Sequence, residues 1–220
     1  MVDRHLELTD ALNMSFKSGI AKIYTGMPAT LIAYDPGSQR AQLQLGIKRR
    51  QKGVWTDLAI LTDVPVGFPG SQSWAFFSAL SNGDEGWAHF SQRCIDEWLS
   101  SGGSVRPVSL RMFDKTDAMF QPGVRSSKTS FSPMPNIGAG IANKSGSVSI
   151  TATDGAIDLK VDGTSIVATK GSITMTVGGQ HLVLSSSGLS HNGVNIGATH
   201  VHSQGKDSGG NTELDTLVPH

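Results

Sequence analysis

The chain has 220 residues, with 18 basic and 18 acidic side chains and a formal net charge of zero. That balance argues against a nucleic-acid reader, whose affinity rests on accumulated positive charge. The lone Cys94 excludes an intrachain disulfide framework and suits a reducing compartment, and no stretch approaches the roughly 18 apolar residues of a membrane helix.

Residues 1–25 read as a partly helical N-terminal arm, with Leu6, Leu8, Leu12, Met14, Phe16 and Ile20 at helical spacing and a possible break at Thr9-Asp10. Asp3, Arg4, Glu7, Asp10 and Lys17 interrupt its apolar run, so no signal peptide is expected. The first 125 residues hold all four tryptophans, both tyrosines and seven of the eight phenylalanines, enough for an ordinary globular core, with the tryptophans expected inside it. Residues 28–34 read as a strand, Asp35-Pro36-Gly37 as its turn, and residues 40–47 as an alternating partner. Further strands are expected at 55–61, 64–68 and 74–80, with Asn82-Gly83 as a hairpin turn into 87–90 and a short helix near 95–99. These elements predict a small OB-type barrel over residues 26–120. Pro122, Pro133, Pro135, Gly138 and Gly140 mark residues 121–140 as a linker or transition.

From 141 to 198 the character changes. Val148, Ile150 and Ala152, then Ile157, Leu159 and Val161, then Ile166 and Ala168, then Ile173, Met175 and Val177, then Leu182 and Leu184 each recur with period two. Such alternation predicts strands with one apolar face. Glycines at 155, 163, 171, 178, 179 and 188 punctuate them, and no aromatic ring follows Phe131. A core of Val, Ile, Leu and Ala on short strands is too thin for one chain, so the reading is a shaft wound with copies of itself. A conventional β-sandwich or solenoid is the alternative.

Residues 199–220 form the end of the chain. Val194, Ile196, Ala198, His200 and His202 share one parity, so an uninterrupted strand would carry both histidines onto the apolar face, with His191 facing outward. Two imidazoles are too few for a closed metal site, whereas three chains supply six in octahedral geometry. Structural zinc is almost always tetrahedral, so such a cage suits another first-row divalent ion such as Fe(II), Co(II) or Ni(II). The competing reading is a chance His-x-His pair on a polar terminus.

Several motifs in order carry a family resemblance. Asp63-Val64-Pro65-Val66, Gly83-Asp84-Glu85-Gly86, Cys94-Ile95-Asp96-Glu97-Trp98-Leu99, Arg111-Met112-Phe113-Asp114, Asp117-Ala118-Met119-Phe120 and Pro122-Gly123 are followed by Asn192-Gly193-Val194-Asn195-Ile196-Gly197 and His200-Val201-His202. Over nearly its whole length the chain resembles the central membrane-piercing spike proteins of contractile phage tail baseplates, Mu-like and related. The resemblance implies a mainly β fold: an N-terminal OB-type barrel, then an intertwined trimeric triple-stranded β-helix with a metal-closed tip. It implies a homotrimer whose barrels form a collar on the tail hub and whose point meets the host outer membrane. One iron ion per trimer would be held by six nitrogens from His200 and His202 of three chains. It further implies a structural virion protein at the baseplate tip, assembled in the host bacterial cytoplasm, without catalytic residues or a small-molecule substrate. The tip of a phage-derived bacteriocin or other contractile injection system would share these features. The 18 residues after His202 depart from the pattern and must fold back or trail.

Two other functions are weighed. An enzyme would need a nucleophile elbow or a His-Glu-x-x-His motif, and neither occurs; Asp84 and Glu85 read as a solvated turn. An OB-type reader of oligosaccharide or nucleic acid would use exposed tryptophans or the Lys48-Arg49-Arg50 run. That run reads more simply as a solvated loop or a contact to an acidic hub surface.

Overall fold

The computed structural model describes residues 4–131, 134–212 and 214–217, and side chains from residue 8 onward. Pro133, Val218 and Pro219 lie outside the described residues, as does the side chain of Leu6. The chain divides into two compact units, Met1–Ser130 and Phe131–His220.

The first unit opens with helix α1 (Arg4–Ile20), which runs through Thr9 and Asp10 without the expected break. Neither residue removes a backbone donor, and each costs a helix only about 0.5 kcal/mol, so strong formers around them prevail. The barrel strands are β1 (Gly26–Asp35), β2 (Arg40–Leu45), β3 (Arg49–Gln51), β4 (Val54–Thr56), β5 (Leu61–Pro65), β6 (Glu85–Phe90) and β7 (Ala118–Pro122), with helix α2 (Asp96–Ser101) before β7. Five of them form a sheet in the order β5-β2-β1-β6-β7. An extra residue in β1 near Ile32 and another in β5, where Asp63 has φ 58°, bend the sheet. It curls until Val66 bridges Phe120 in parallel and the Gly67 amide donates to the Phe120 carbonyl at 2.8 Å. First strand beside second and fourth, third meeting fifth in parallel, is the OB arrangement, here a curled half-barrel.

Alternation toward one face builds the core: Ala29 and Leu31, Ala41, Leu43 and Leu45, Leu61 and Val64, Ala88 and Phe90, Ala118 and Phe120. The tryptophans are not part of it. Trp55 is 62% exposed, Trp74 80% and Trp98 53%, because aliphatic residues with Phe90 and Phe120 already fill a barrel this narrow. Two expected strands also differ. Residues 55–56 belong to the exposed β3–β4 hairpin, where the Arg50 guanidinium lies over the Trp55 ring, and the core strand begins only at Leu61. Residues 74–80 form an irregular loop joined by the Gly70–Ala75 bridge, with Trp74, Phe76 and Phe77 all exposed. Asn82-Gly83 does turn the chain, yet β6 then pairs with β1 and not with that loop.

The second unit is a meander. β8 (Ala139–Ala142), β9 (Val148–Ala152), β10 (Ala156–Val161), β11 (Thr164–Thr169), β12 (Ser172–Val177), β13 (Gln180–Ser185), β14 (Gly188–His191) and β15 (Val194–Asn195) form one antiparallel sheet in chain order. The strands shorten from six residues in β13 to four in β14 and two in β15. Directly paired residues share a face, so Ile141, Ile150, Leu159, Ile166, Met175, Leu182, His191 and Val194 form one row across all eight strands. Ser149, Thr151, Asp158, Lys160, Ser165, Thr174 and Thr176 lie on the other face. The apolar face is uncovered in the single chain, with Ile141, Ile150, Ile157, Leu159, Ile173, Met175 and Leu184 all more than 40% exposed.

His191 corrects the expectation from parity. Asn192 and Gly193 turn the chain with φ of 49° and 82°, and a two-residue turn pairs an odd with an even position. His191 therefore shares the face of Val194 instead of opposing it.

Candidate metal site

β15 stops at Asn195, so the continuous strand that would have carried His200 and His202 onto the apolar face is not formed. A turn replaces it. Asn195 Oδ1 accepts the Gly197 amide at 2.9 Å, and the Gly197 carbonyl accepts the His200 amide at 3.1 Å. The two imidazoles are brought together all the same, with ring centroids 5.1 Å apart and planes at 90°. Nδ1 of His200 lies 2.6 Å from the Gly197 carbonyl oxygen. A carbonyl only accepts, so this nitrogen carries the proton and Nε2 is left with a free lone pair. That is the usual support for a metal-binding histidine, whose second nitrogen donates to a carbonyl or carboxylate. His200 is half-buried and His202 exposed.

The residues after His202 fold back. Lys206 bridges Thr212 around a turn in which Asp207 accepts the Asn211 amide and side chain, and those bonds hold the Asp207 carboxyl below its ordinary pKa. Thr216 then clasps His202: the His202 amide donates to Thr216 Oγ1 at 2.8 Å, and the Thr216 amide donates to the His202 carbonyl at 3.0 Å. Sequence reasoning did not find this clasp, since no local pattern links residues 14 apart. The donor chemistry fits a first-row divalent ion: two borderline imidazoles, one with a fixed tautomer. Two ligands per chain leave such a site incomplete without other copies.

Among the described residues, Cys94, Asp96 and Asp117 are the group of three potential ligands drawn close together. A cation already occupies that position. Arg111 Nε and Nη2 donate to the two oxygens of Asp117 at 2.7 Å each, Nη2 also reaches Asp96 at 2.7 Å, and the Ile95 amide donates to Asp117 at 3.0 Å. Asp117 is fully buried, and both carboxylates push the Arg111 pKa further up while Arg111 lowers that of Asp96. The cluster is an ion-pair lock between α2 and the segment that leads into β7. Cys94 beside it is buried, as expected of a small apolar residue.

Glu85 corrects the reading of a solvated turn. Its carboxylate accepts the Ser126 amide and the hydroxyls of Ser126 and Thr129, fastening residues 126–129 to the start of β6. The Ser126 amide and then the Thr129 hydroxyl hold its pKa below the ordinary value. Asp84 instead caps the Asn82-Gly83 turn by accepting the Ser81 amide at 2.7 Å. The basic run is partly neutralised, with Lys48 3.4 Å from Asp57. A groove of about 570 Å³ lies between Tyr34, Phe68, Phe77 and Leu80 beside the exposed aromatic loop.

The described structure is an OB-type barrel followed by an antiparallel meander with one uncovered apolar face, and similarity narrows the class. Residues 27–123, from β1 to just past β7, match the family model described as phage protein Gp138 N-terminal domain. The match indicates a phage protein and covers the barrel, leaving the arm and the meander outside it. No curated protein matches the chain.

Proposed function

We propose that this chain is a structural virion protein, the central spike at the tip of a contractile phage tail, which acts as a homotrimer and pierces the host outer membrane mechanically. The observation that carries it is the uncovered apolar face of the eight-stranded meander. Full burial of a Val, Leu or Ile side chain is worth about 1.5–3 kcal/mol, so the half-exposed residues on that face forgo roughly 1 kcal/mol each, on the order of 10 kcal/mol per chain. That sum rivals the whole stability of an ordinary domain, about 5–15 kcal/mol. A sheet with one bare apolar face needs a second layer. Two sister sheets around a threefold axis supply it, leave the Ser, Thr, Asp and Lys face in water, and bring six imidazoles to one end.

The dimensions suit perforation. Seven strand-to-strand steps of about 4.8 Å put β8 and β15 roughly 34 Å apart, comparable with a bilayer's hydrocarbon core of about 30 Å. Strands that shorten from six residues to two narrow the assembly toward the histidine end. The barrel, matching a phage-protein domain and bearing exposed Trp74, Phe76 and Phe77, is suited to seating on a tail hub. His200 and His202 serve as structural ligands for iron or another first-row divalent ion, which would tie three chain ends together.

Sedimentation and metal analysis of the purified chain test this. The expected species is three times 23.2 kDa, about 70 kDa, with one transition-metal ion in six-coordinate geometry per trimer at the histidine end. Replacing both His200 and His202 with Ala should remove that ion and leave the trimer. A stable folded monomer would refute the proposal. So would antibodies to residues 203–212 labelling the sheath or capsid of tail particles instead of the distal point.

A further inference from the structure

His191 stands in the middle row of the apolar face, directly between Leu182 and Val194. No other ionisable side chain in the described strands shares that face, where the remaining polar groups are Thr164, opposite Val161, and Gln180, opposite Val177. Gln180 is already engaged, accepting from Asn192 at 2.6 Å. His181, the other histidine of these strands, lies on the polar face beside Thr176 Oγ1. An imidazole so placed has no polar partner among the described residues of its own chain, and burying it against apolar neighbours alone is unfavourable. It also sits where the strands have shortened to four residues, one step before β15, so copies meeting on this face bring their His191 rings together at the narrow end.

We infer that His191 forms a second metal layer: three imidazoles, one from each copy, holding a divalent first-row cation of the zinc class in a tetrahedral site completed by water. The inference rests on the trimeric reading above. Three neutral imidazoles with one open position are an established donor set for tetrahedral zinc, whereas the six-imidazole end is octahedral and disfavours it. The two layers therefore differ in geometry and in preferred ion.

Co²⁺ separates them, because tetrahedral Co(II) absorbs visible light strongly and octahedral Co(II) weakly. The full chain, stripped by chelator at neutral pH, is reloaded with Co²⁺ or Zn²⁺, and mass is measured by sedimentation on the same samples. The variant with His200→Ala and His202→Ala should remain a trimer, bind one Co²⁺ per trimer with the intense tetrahedral spectrum, and exchange it for Zn²⁺. Adding His191→Leu should abolish that binding. His191→Leu alone suits its row between Leu182 and Val194, and should leave a trimer with only the weak octahedral signal. A trimeric double variant that binds no metal overturns the inference and leaves the spike reading standing. So does a tetrahedral signal surviving His191→Leu, or loss of all metal from His191→Leu alone, which would make one site of the three histidines. A monomeric wild-type chain overturns both.

Discussion

Leu159→Asp distinguishes a shared core from an open sheet. Leu159 lies in the central row of β10 between Ile150 and Ile166, and 41% of it is exposed in the single chain. If the sheet stood alone, an aspartate there would remain in water and cost no more than the strand-propensity difference, about 1 kcal/mol. In a trimer three carboxylates enter one apolar layer, each with a desolvation cost of several kcal/mol, on the order of 10 kcal/mol per assembly. At 1.4 kcal/mol per decade this weakens association by about seven orders of magnitude. Ser149→Asp is the control, since Ser149 pairs with Lys160 on the polar face. Sedimentation velocity should find the Leu159→Asp chain dissociated or aggregated and the Ser149→Asp chain unchanged. A Leu159→Asp chain that sediments as wild type with an unaltered thermal midpoint would refute the shared core.

The remaining expectations concern the barrel and the tail. Asp117→Asn should cost about 3–5 kcal/mol by breaking a buried pair, read from urea unfolding by tryptophan fluorescence, since all four tryptophans lie in the first unit; a loss below 1 kcal/mol would remove Arg111 as a lock. Glu85, whose folded pKa is lowered, stabilises the 126–129 attachment above the ordinary glutamate range, and this is lost as pH falls through the depressed folded value. Glu85→Gln should mimic the acid state at neutral pH and speed trypsin cleavage after Arg125 and Lys128, whereas an unchanged rate would show that the attachment does not depend on that charge. Thr216→Val removes the hydroxyl that receives the His202 amide and should weaken metal retention against a chelator about tenfold with both imidazoles intact. Equal retention would mean the clasp does not position the ligand.

The meander was legible because period-two alternation and glycine corners are local signals, and register follows from them through short turns. What failed was parity carried across such a turn, at Asn192-Gly193 for His191, and parity carried past the end of a strand, at Asn195 for His200 and His202. The barrel's core strands were legible for the same local reason. Aromatic content misled, since Trp74, Phe76 and Leu80 share one strand parity as a buried strand would, and yet Trp74, Phe76 and Phe77 lie exposed in a loop. The Arg111 lock on Asp117 and Asp96, six and 15 residues away, and the Thr216 clasp, 14 away, join groups with no periodic signature. A charged residue immediately before an apolar run, as Asp117 precedes Ala118, was the available hint of a buried ion pair.

A sheet with a bare face and two bare edges risks endless association, and the proposed finite trimer requires edges that are poor templates. β15 offers only two residues for pairing, and the chain then turns at Gly197, where a Cβ would lie a tight 3.2 Å from the Leu189 amide nitrogen. β8 is four residues long and carries Gly140, where a Cβ would collide with the Ile150 carbonyl. Short edges with small residues are poor templates for another chain. The broad apolar face is then the stronger adhesive surface, and the proposed closure of three copies around an axis would cover it without leaving a further face exposed. The proposed threefold closure would also account for the absence of Phe, Tyr and Trp beyond Phe131: side chains converging on one line from three directions must be narrow, and Val, Ile, Leu and Ala are.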